Sequence, residues 1–326
     1  MDEQLPSFAD VQAAAGRLQG VARRTPLLES EALNAQAGGR ILLKAEVLQR
    51  TGSFKFRGAY NAITQIAAPA VVAYSSGNHA QGVAAAARLL GKSATIVMPA
   101  DAPAIKVENT RAAGAEIRLY DRIRESREAI GAEIAARSGA ALVRPYDDPR
   151  IIAGQGTAGL ELALQAQELD AALDAALIPC GGGGLIAGCG LALRELCPGI
   201  EVYAVEPAGF DDTARSLAAG RRLANPPDGR SICDALLVPT PGELTFELNR
   251  RVLAGGLALA DEDVLRAMGF AFRALKLVVE PGGAVALAAL LAGHFDARGR
   301  TVGVVLSGGN VDPALFARML RQSDGG

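Results

Sequence analysis

Residues 70–98 read AVVAYSSGNHAQGVAAAARLLGKSATIVM. Five residues, 70–74, form a short apolar run. A polar turn, 75–78, leads into an Ala-rich helical stretch, 79–90, which Gly91 closes, and a second apolar run follows at 94–98. Glycine just past a helix supplies the left-handed C-cap, and two strands joined by a helix are parallel neighbours, because a hairpin cannot contain such a crossover. This stretch therefore predicts a parallel sheet wound with helices.

The alternation extends in both directions. Downstream come a helix at 104–113 closed by Gly114, a strand at 116–120, a helix at 126–138 and a strand at 141–143. Upstream lie an amphipathic helix at 7–19 with Ser7 as its N-cap, a break at Thr25-Pro26, a strand at 41–47, and a lysine-bearing loop with its helix at 51–66. A second set begins after Pro145-Tyr146-Asp147-Asp148-Pro149: helix 156–167, strand 175–179, a glycine loop, helix 185–196 and strand 201–205. An irregular Pro/Gly-rich stretch, 225–242, precedes further helices, a strand at 302–306 and a short terminal helix. The expected fold is α/β, with two doubly wound parallel-sheet domains and the smaller inserted in the larger. Residues 1–52 and 148–326 would form the large domain and 53–147 the small one, with 147–149 crossing back between them.

Composition narrows the class of function. A chain of 326 residues holds about two domains. Half its residues are hydrophobic but only 4% are aromatic and none is Trp, so the cores are made of Ala, Val, Leu and Ile. A net charge of -2 argues against a nucleic-acid surface, and the pairs Arg23-Arg24, Arg221-Arg222 and Arg250-Arg251 read as solvated faces. Four cysteines without CxxC spacing and two histidines argue against zinc and against a disulfide framework. The acidic N-terminus lacks the basic-then-apolar order of a signal peptide, and the longest uncharged run, 175–193, carries six glycines and Pro179, a poor membrane span. A cytoplasmic protein without nucleic-acid or membrane partners is expected.

Four stretches carry chemistry. In Thr51-Gly52-Ser53-Phe54-Lys55-Phe56-Arg57-Gly58, two phenylalanines flank a lysine at a loop-to-helix junction, where desolvation would lower its pKa and free a nucleophilic amine; a snorkelling surface lysine is the plainer alternative. In Cys180-Gly181-Gly182-Gly183-Gly184-Leu185, four glycines between a strand and a helix open the backbone N–H groups to an anion such as a phosphate. A flexible turn would need fewer glycines. The same loop fits G-x-G-x-x-A through Gly182, Gly184 and Ala187, with Glu206 at the end of the next strand, so a dinucleotide site and an NAD-linked oxidoreductase form a rival reading. Ser75 to Gly82 and Ser307-Gly308-Gly309-Asn310 each place hydroxyl, amide and backbone donors at the end of a strand, although a serine cap on a helix would explain part of the first.

Together with Gly154-Gln155-Gly156-Thr157, these motifs, in order along nearly the whole chain, resemble the serine/threonine dehydratase and serine racemase family of pyridoxal-phosphate (PLP) enzymes, of the tryptophan-synthase-β fold type. The resemblance implies that Lys55 carries PLP on its amine, Phe54 packs beside the ring, Asn78 meets the ring hydroxyl, Gly181, Gly182, Gly183, Gly184 and Leu185 bind the phosphate, and Ser307 faces the pyridine nitrogen. A neutral serine there makes the ring a moderate electron sink, suited to elimination. It also implies that Ser75, Ser76, Asn78 and His79 receive the substrate, with Ser76 as a second catalytic group opposite Lys55. Such a hydroxyl marks the racemase-like and 3-hydroxyaspartate dehydratase branch. Arg127, in Glu125-Ser126-Arg127, would meet a second substrate carboxylate, or else be a solvated helix arginine. Glu206, Asp212 and the Phe210 carbonyl resemble that branch's divalent-metal site, for Mg2+, Ca2+ or Mn2+. The implied activity is PLP-dependent dehydration of threonine, serine or 3-hydroxyaspartate to an oxo acid and ammonia, with amino-acid racemisation as the alternative, in a homodimer. Two departures bear on the substrate: Cys233-Asp234-Ala235-Leu236 stands where the family has Asp-Gly, and the glutamate segment reads Glu280-Pro281-Gly282-Gly283-Ala284. A chain ending at Gly326 is expected to lack the regulatory domain of biosynthetic threonine deaminases.

Overall fold

Strands and helices largely alternate in the computed structural model, which describes residues 4–322 other than 103 and 122; residues 1–3 of the acidic N-terminus lie outside it. In chain order the elements are α1 (Phe8–Leu18), β1 (Leu27–Glu29), α2 (Glu31–Ala37), β2 (Arg40–Ala45), α3 (Lys55–Ile63), β3 (Ala70–Tyr74), α4 (Asn78–Leu89), β4 (Ser93–Pro99), α5 (Ala104–Ala112), β5 (Glu116–Tyr120), α6 (Arg127–Ser138) and β6 (Ala141–Leu142). They continue as α7 (Pro149–Glu168), β7 (Ala175–Pro179), α8 (Gly184–Leu196), β8 (Glu201–Pro207), α9 (Asp212–Ala219), α10 (Glu243–Val252), β9 (Gly255–Leu259), α11 (Asp261–Phe270), α12 (Pro281–Leu291), β10 (Thr301–Leu306) and α13 (Pro313–Gln322).

The strands form two sheets. One is parallel throughout, in the order β5-β4-β3-β6; the other runs β1-β2-β10-β7-β8-β9 and is parallel except for the antiparallel edge pair β1 and β2. Strand β7 is buried at every position, as a central strand covered on both faces must be. The apolar, capless helix α12 is buried almost throughout, among the residues packed with β7 and β10.

Helix α7 starts seven residues before the expected 156. Asp148 caps it by accepting the N–H groups of Arg150 and Ile151, and Pro149 occupies its first turn. The glycines of its first turns serve close packing: a Cβ at Gly154 would lie 2.7 Å from the Arg57 carbonyl, and one at Gly156 2.7 Å from the Gly188 carbonyl. Strand β9 was hidden by Gly255 and Gly256, where a Cβ on Gly256 would meet Ala214 at 2.6 Å.

The lysine loop is stitched to the end of β10. Phe54 N–H donates to the Ser307 carbonyl at 3.1 Å, Gly309 N–H to Gly52 O at 2.9 Å, and Asn310 Nδ2 to Thr51 O at 2.7 Å. Behind it Arg57 is wholly buried between Glu46 and Glu161, at 2.8 and 2.7 Å, and Lys44 meets Glu161 at 2.6 Å. Removing one partner of such a cluster would strand a buried charge, so α3 is held in one pose.

Candidate active site

The ends of β3, β7 and β10 face one cleft of about 580 Å³, lined by Lys55, the Ser75–His79 turn, the tetraglycine loop and Ser307. This is where open parallel sheets bind ligands. Lys55 donates from Nζ to the Pro145 carbonyl at 2.8 Å and lies 5.2 Å from the Phe54 ring centre. Burial pulls its pKa down to about 8, against the opposing pull of Glu280. Lys55 is half-buried, with its amine bonded to a backbone carbonyl in the cleft, which does not fit a surface lysine reaching for water.

Two helices open onto the cleft without a side-chain cap. Helix α4 has Gly77 at its N-cap, and neither serine caps it: Ser75 Oγ accepts the Gly77 N–H at 3.2 Å, outside the helix. Helix α8 follows Gly183, whose φ of 90° lies in the left-handed region that favours glycine. Unpaired N–H groups and the helix dipole make each end receptive to an anion. The four glycines have a second cause that the sequence did not show. A Cβ would lie 3.1 Å from Leu236 at Gly181, 2.4 Å from the Tyr146 ring at Gly182, 2.8 Å from Asn249 at Gly183 and 2.7 Å from Gln155 Oε1 at Gly184. Packing against neighbouring protein atoms leaves little room for a side chain at these positions, least of all at Gly182, Gly183 and Gly184.

Asn78 is fixed from both sides, its Nδ2 donating to Glu280 Oε1 at 2.5 Å and its Oδ1 accepting from Asn310 Nδ2 at 2.7 Å. An amide nitrogen carries two hydrogens, so Asn78 keeps one to offer. Burial, with Asp234 nearby, pushes the Glu280 carboxyl up to about 8. His79 Nε2 donates to Val143 O at 3.0 Å; burial and then the charge of Lys55 depress its pKa to about 3, so the ring is neutral. What His79 can offer an anion is therefore backbone N–H at the start of α4, not a charged ring. Ser76 and Ser307 both line the cleft.

Arg127 opens α6 and reaches the cleft wall, 5.4 Å from the Tyr74 ring centre, with Nε donating to Glu128 at 2.8 Å. Sequence reasoning missed other lining groups. Arg222, read as a solvated face, lines the cleft, donating to Pro241 O at 3.1 Å and Glu243 at 2.6 Å. Lys106 on α5 pairs with Asp234 of the irregular stretch, and Tyr146 and Asp147 close the side beside the glycines. Only their spatial convergence, from segments far apart in the chain, marks them.

Glu206 does not face the cleft. Its carboxylate accepts Thr213 N–H at 3.0 Å and Ala214 N–H at 2.9 Å at the start of α9, which leaves it no route to a ribose. Burial and the neighbouring Asp212 raise its pKa to about 8, and burial raises that of Asp212 to about 6. Asp212 Oδ1 accepts from Asn225 at 2.6 Å, while its Oδ2 is buried with no protein partner among the described residues. Two adjoining buried carboxyls with an orphaned oxygen fit a hard divalent cation.

A lysine with a depressed pKa and two uncapped helix N-termini line one cleft of a two-sheet α/β scaffold, the fold type II class of PLP enzymes. Residues 18–308 match the family model described as pyridoxal-phosphate dependent enzyme, and the chain belongs to that family, within its threonine/serine dehydratase and serine racemase group. It is 44% identical over 322 residues to the L-threo-3-hydroxyaspartate ammonia-lyase of Pseudomonas sp., covering 98% of this chain and 99% of the relative. It is 38% identical over 323 residues to the serine racemase of Schizosaccharomyces pombe, covering 98% of both. Among solved structures, a threonine deaminase of T.th. superposes with a TM-score of 0.89 at 45% identity, over 94% of this chain and 99% of that one. The family membership removes the NAD-linked rival. No helix among the described residues is long and apolar enough to cross a membrane.

Proposed function

We propose that the protein is a PLP-dependent ammonia-lyase that dehydrates a β-hydroxy amino acid, with threo-3-hydroxyaspartate ahead of threonine and serine. The observation that carries this reading is Lys55, a partly neutral amine held between two helix ends that can each take an anion. The α8 end, with Gly181 to Leu185, would hold the phosphate, and Phe54, Asn78 and Ser307 the ring. When bound, PLP supplies an electron sink for the charge left as an α-proton departs. The α4 end, from Ser75 to His79, binds the substrate α-carboxylate and so orients the α-hydrogen. Lys55 Nζ accepts that proton, and the β-hydroxyl leaves as water once protonated. The enamine product takes up water and yields an oxo acid and ammonia, so water lost is water regained. Ser76 Oγ serves the opposite face, which makes racemisation the secondary activity. Arg127 offers its guanidinium to a second carboxylate.

Glu206, Asp212 and the Phe210 carbonyl would hold Mg2+, Ca2+ or Mn2+ away from the chemistry, steadying the loop between β8 and α9. We further infer a cytoplasmic homodimer. Four free cysteines suit a reducing compartment, and exposed Leu48, Phe272 and Val278 offer apolar surface to a second copy. Sedimentation of the purified protein tests the dimer. The activity is tested by assaying oxo acid and ammonia release from the four 3-hydroxyaspartate isomers, threonine and serine. Release from none of them by PLP-loaded protein would overturn the proposal.

A further inference from the structure

Helix α10 begins behind Gly242, so its N-cap position carries no side chain to satisfy the first turn. The acceptor comes from nearly a hundred residues earlier. Asp147 Oδ2 accepts the Glu243 N–H at 3.0 Å, and Oδ1 accepts those of Leu244 and Thr245 at 3.0 and 3.2 Å. The two sites are built to match, since a Cβ on Gly242 would lie 2.3 Å from Asp147 Oδ1. Three N–H bonds at the positive end of a helix suit a carboxylate.

The turn fixed in this way reaches the tetraglycine loop. Thr245 donates its hydroxyl to the Gly182 carbonyl at 2.7 Å, and Gly242 N–H meets the same oxygen at 3.4 Å. In a planar trans peptide the carbonyl and the following N–H point in opposite directions. Tying the Gly182 carbonyl to α10 therefore turns the Gly183 N–H away from α10. Tyr146, the neighbour of Asp147, packs against Gly182 and Gly184.

We infer that Asp147 is a positioning residue for the phosphate-binding loop, acting through the first turn of α10 and Thr245 on the Gly182–Gly183 peptide. This rests on the proposed phosphate role of that loop. Asn at 147 keeps the size but has one acceptor oxygen and no charge.

The test titrates the full-length, cofactor-stripped protein with PLP and, separately, with pyridoxal, which has the aldehyde and no phosphate, following absorbance. Wild type should prefer PLP. Asp147→Asn should bind PLP more weakly by about tenfold or more, the scale of one lost charge-assisted hydrogen bond, with pyridoxal binding unchanged. Thr245→Val should reproduce the PLP-selective loss, and the double variant should lose less than the sum, because both lie on one chain of contacts. If Asp147→Asn does not fold, Thr245→Val decides the question alone. Equal loss toward both ligands, or an unchanged PLP preference in the variants, overturns the positioning role and leaves the phosphate loop standing. A wild type that does not distinguish PLP from pyridoxal overturns the phosphate loop itself, and the inference with it.

Discussion

Removing the Arg127 guanidinium should erase the preference for a substrate with two carboxylates. A hydrogen bond to a charged group is worth about 1.5–3 kcal/mol in a protected site. Arg127 is less protected than that: 46% of its side chain is exposed, and Glu128 at 2.8 Å competes for it. Solvent screening and that competition place the gain near the lower end, about 1.5 kcal/mol, or roughly tenfold in selectivity. Initial rates of oxo acid release by Arg127→Ala should therefore show kcat/KM for threo-3-hydroxyaspartate falling about tenfold, with serine and threonine nearly unaffected. Arg127→Lys should recover only part of the loss, because an ammonium cannot offer a planar fork. An unchanged ratio of hydroxyaspartate to threonine in Arg127→Ala would make Arg127 an ordinary helix arginine and move the source of specificity elsewhere in the cleft.

Cofactor uptake by the stripped protein should follow the neutral form of Lys55, rising about tenfold per pH unit up to the depressed pKa of about 8 and then levelling, with borohydride fixing the cofactor mass on Lys55; a rise continuing to about pH 10 would show an unperturbed lysine. Chelation should lower the Tm, with magnesium or calcium restoring it, and Asp212→Asn should abolish the restoration; a Tm indifferent to chelator would remove the cation from Glu206 and Asp212. Ser76→Ala should impair the stereoisomer whose α-proton leaves on the face opposite Lys55 and spare the other, measured on resolved isomers, whereas equal losses would deny Ser76 a facial role.

The sheet-forming alternation around residues 70–98 was legible because period and punctuation are local: apolar strands, Ala-rich helices and closing glycines each follow from the nearest few residues. Lys55, the Ser75–His79 turn and the tetraglycine loop could be picked out as candidates for the same reason, since each lies within one short segment, and all of them line the cleft. Long-range partners were not legible. The early start of α7 depended on Asp148 acting as a cap, and Gly154 and Gly156 lie within that helix, packed against α3 and α8. Glu206 fitted a ribose by spacing alone, yet its carboxylate turns to the N–H groups of α9 and away from the cleft. Arg222, Lys106, Asp234 and Tyr146 enter the site only because two sheets bring their ends together. Asp147 caps a helix that starts 96 residues later. Local sequence determined which backbone could be helix, strand or anion-binding turn, because those depend on propensity and pattern. Tertiary structure decided which carboxylates are caps, which glycines are contacts and which charges share a cleft, because burial and pairing arise only when distant segments meet.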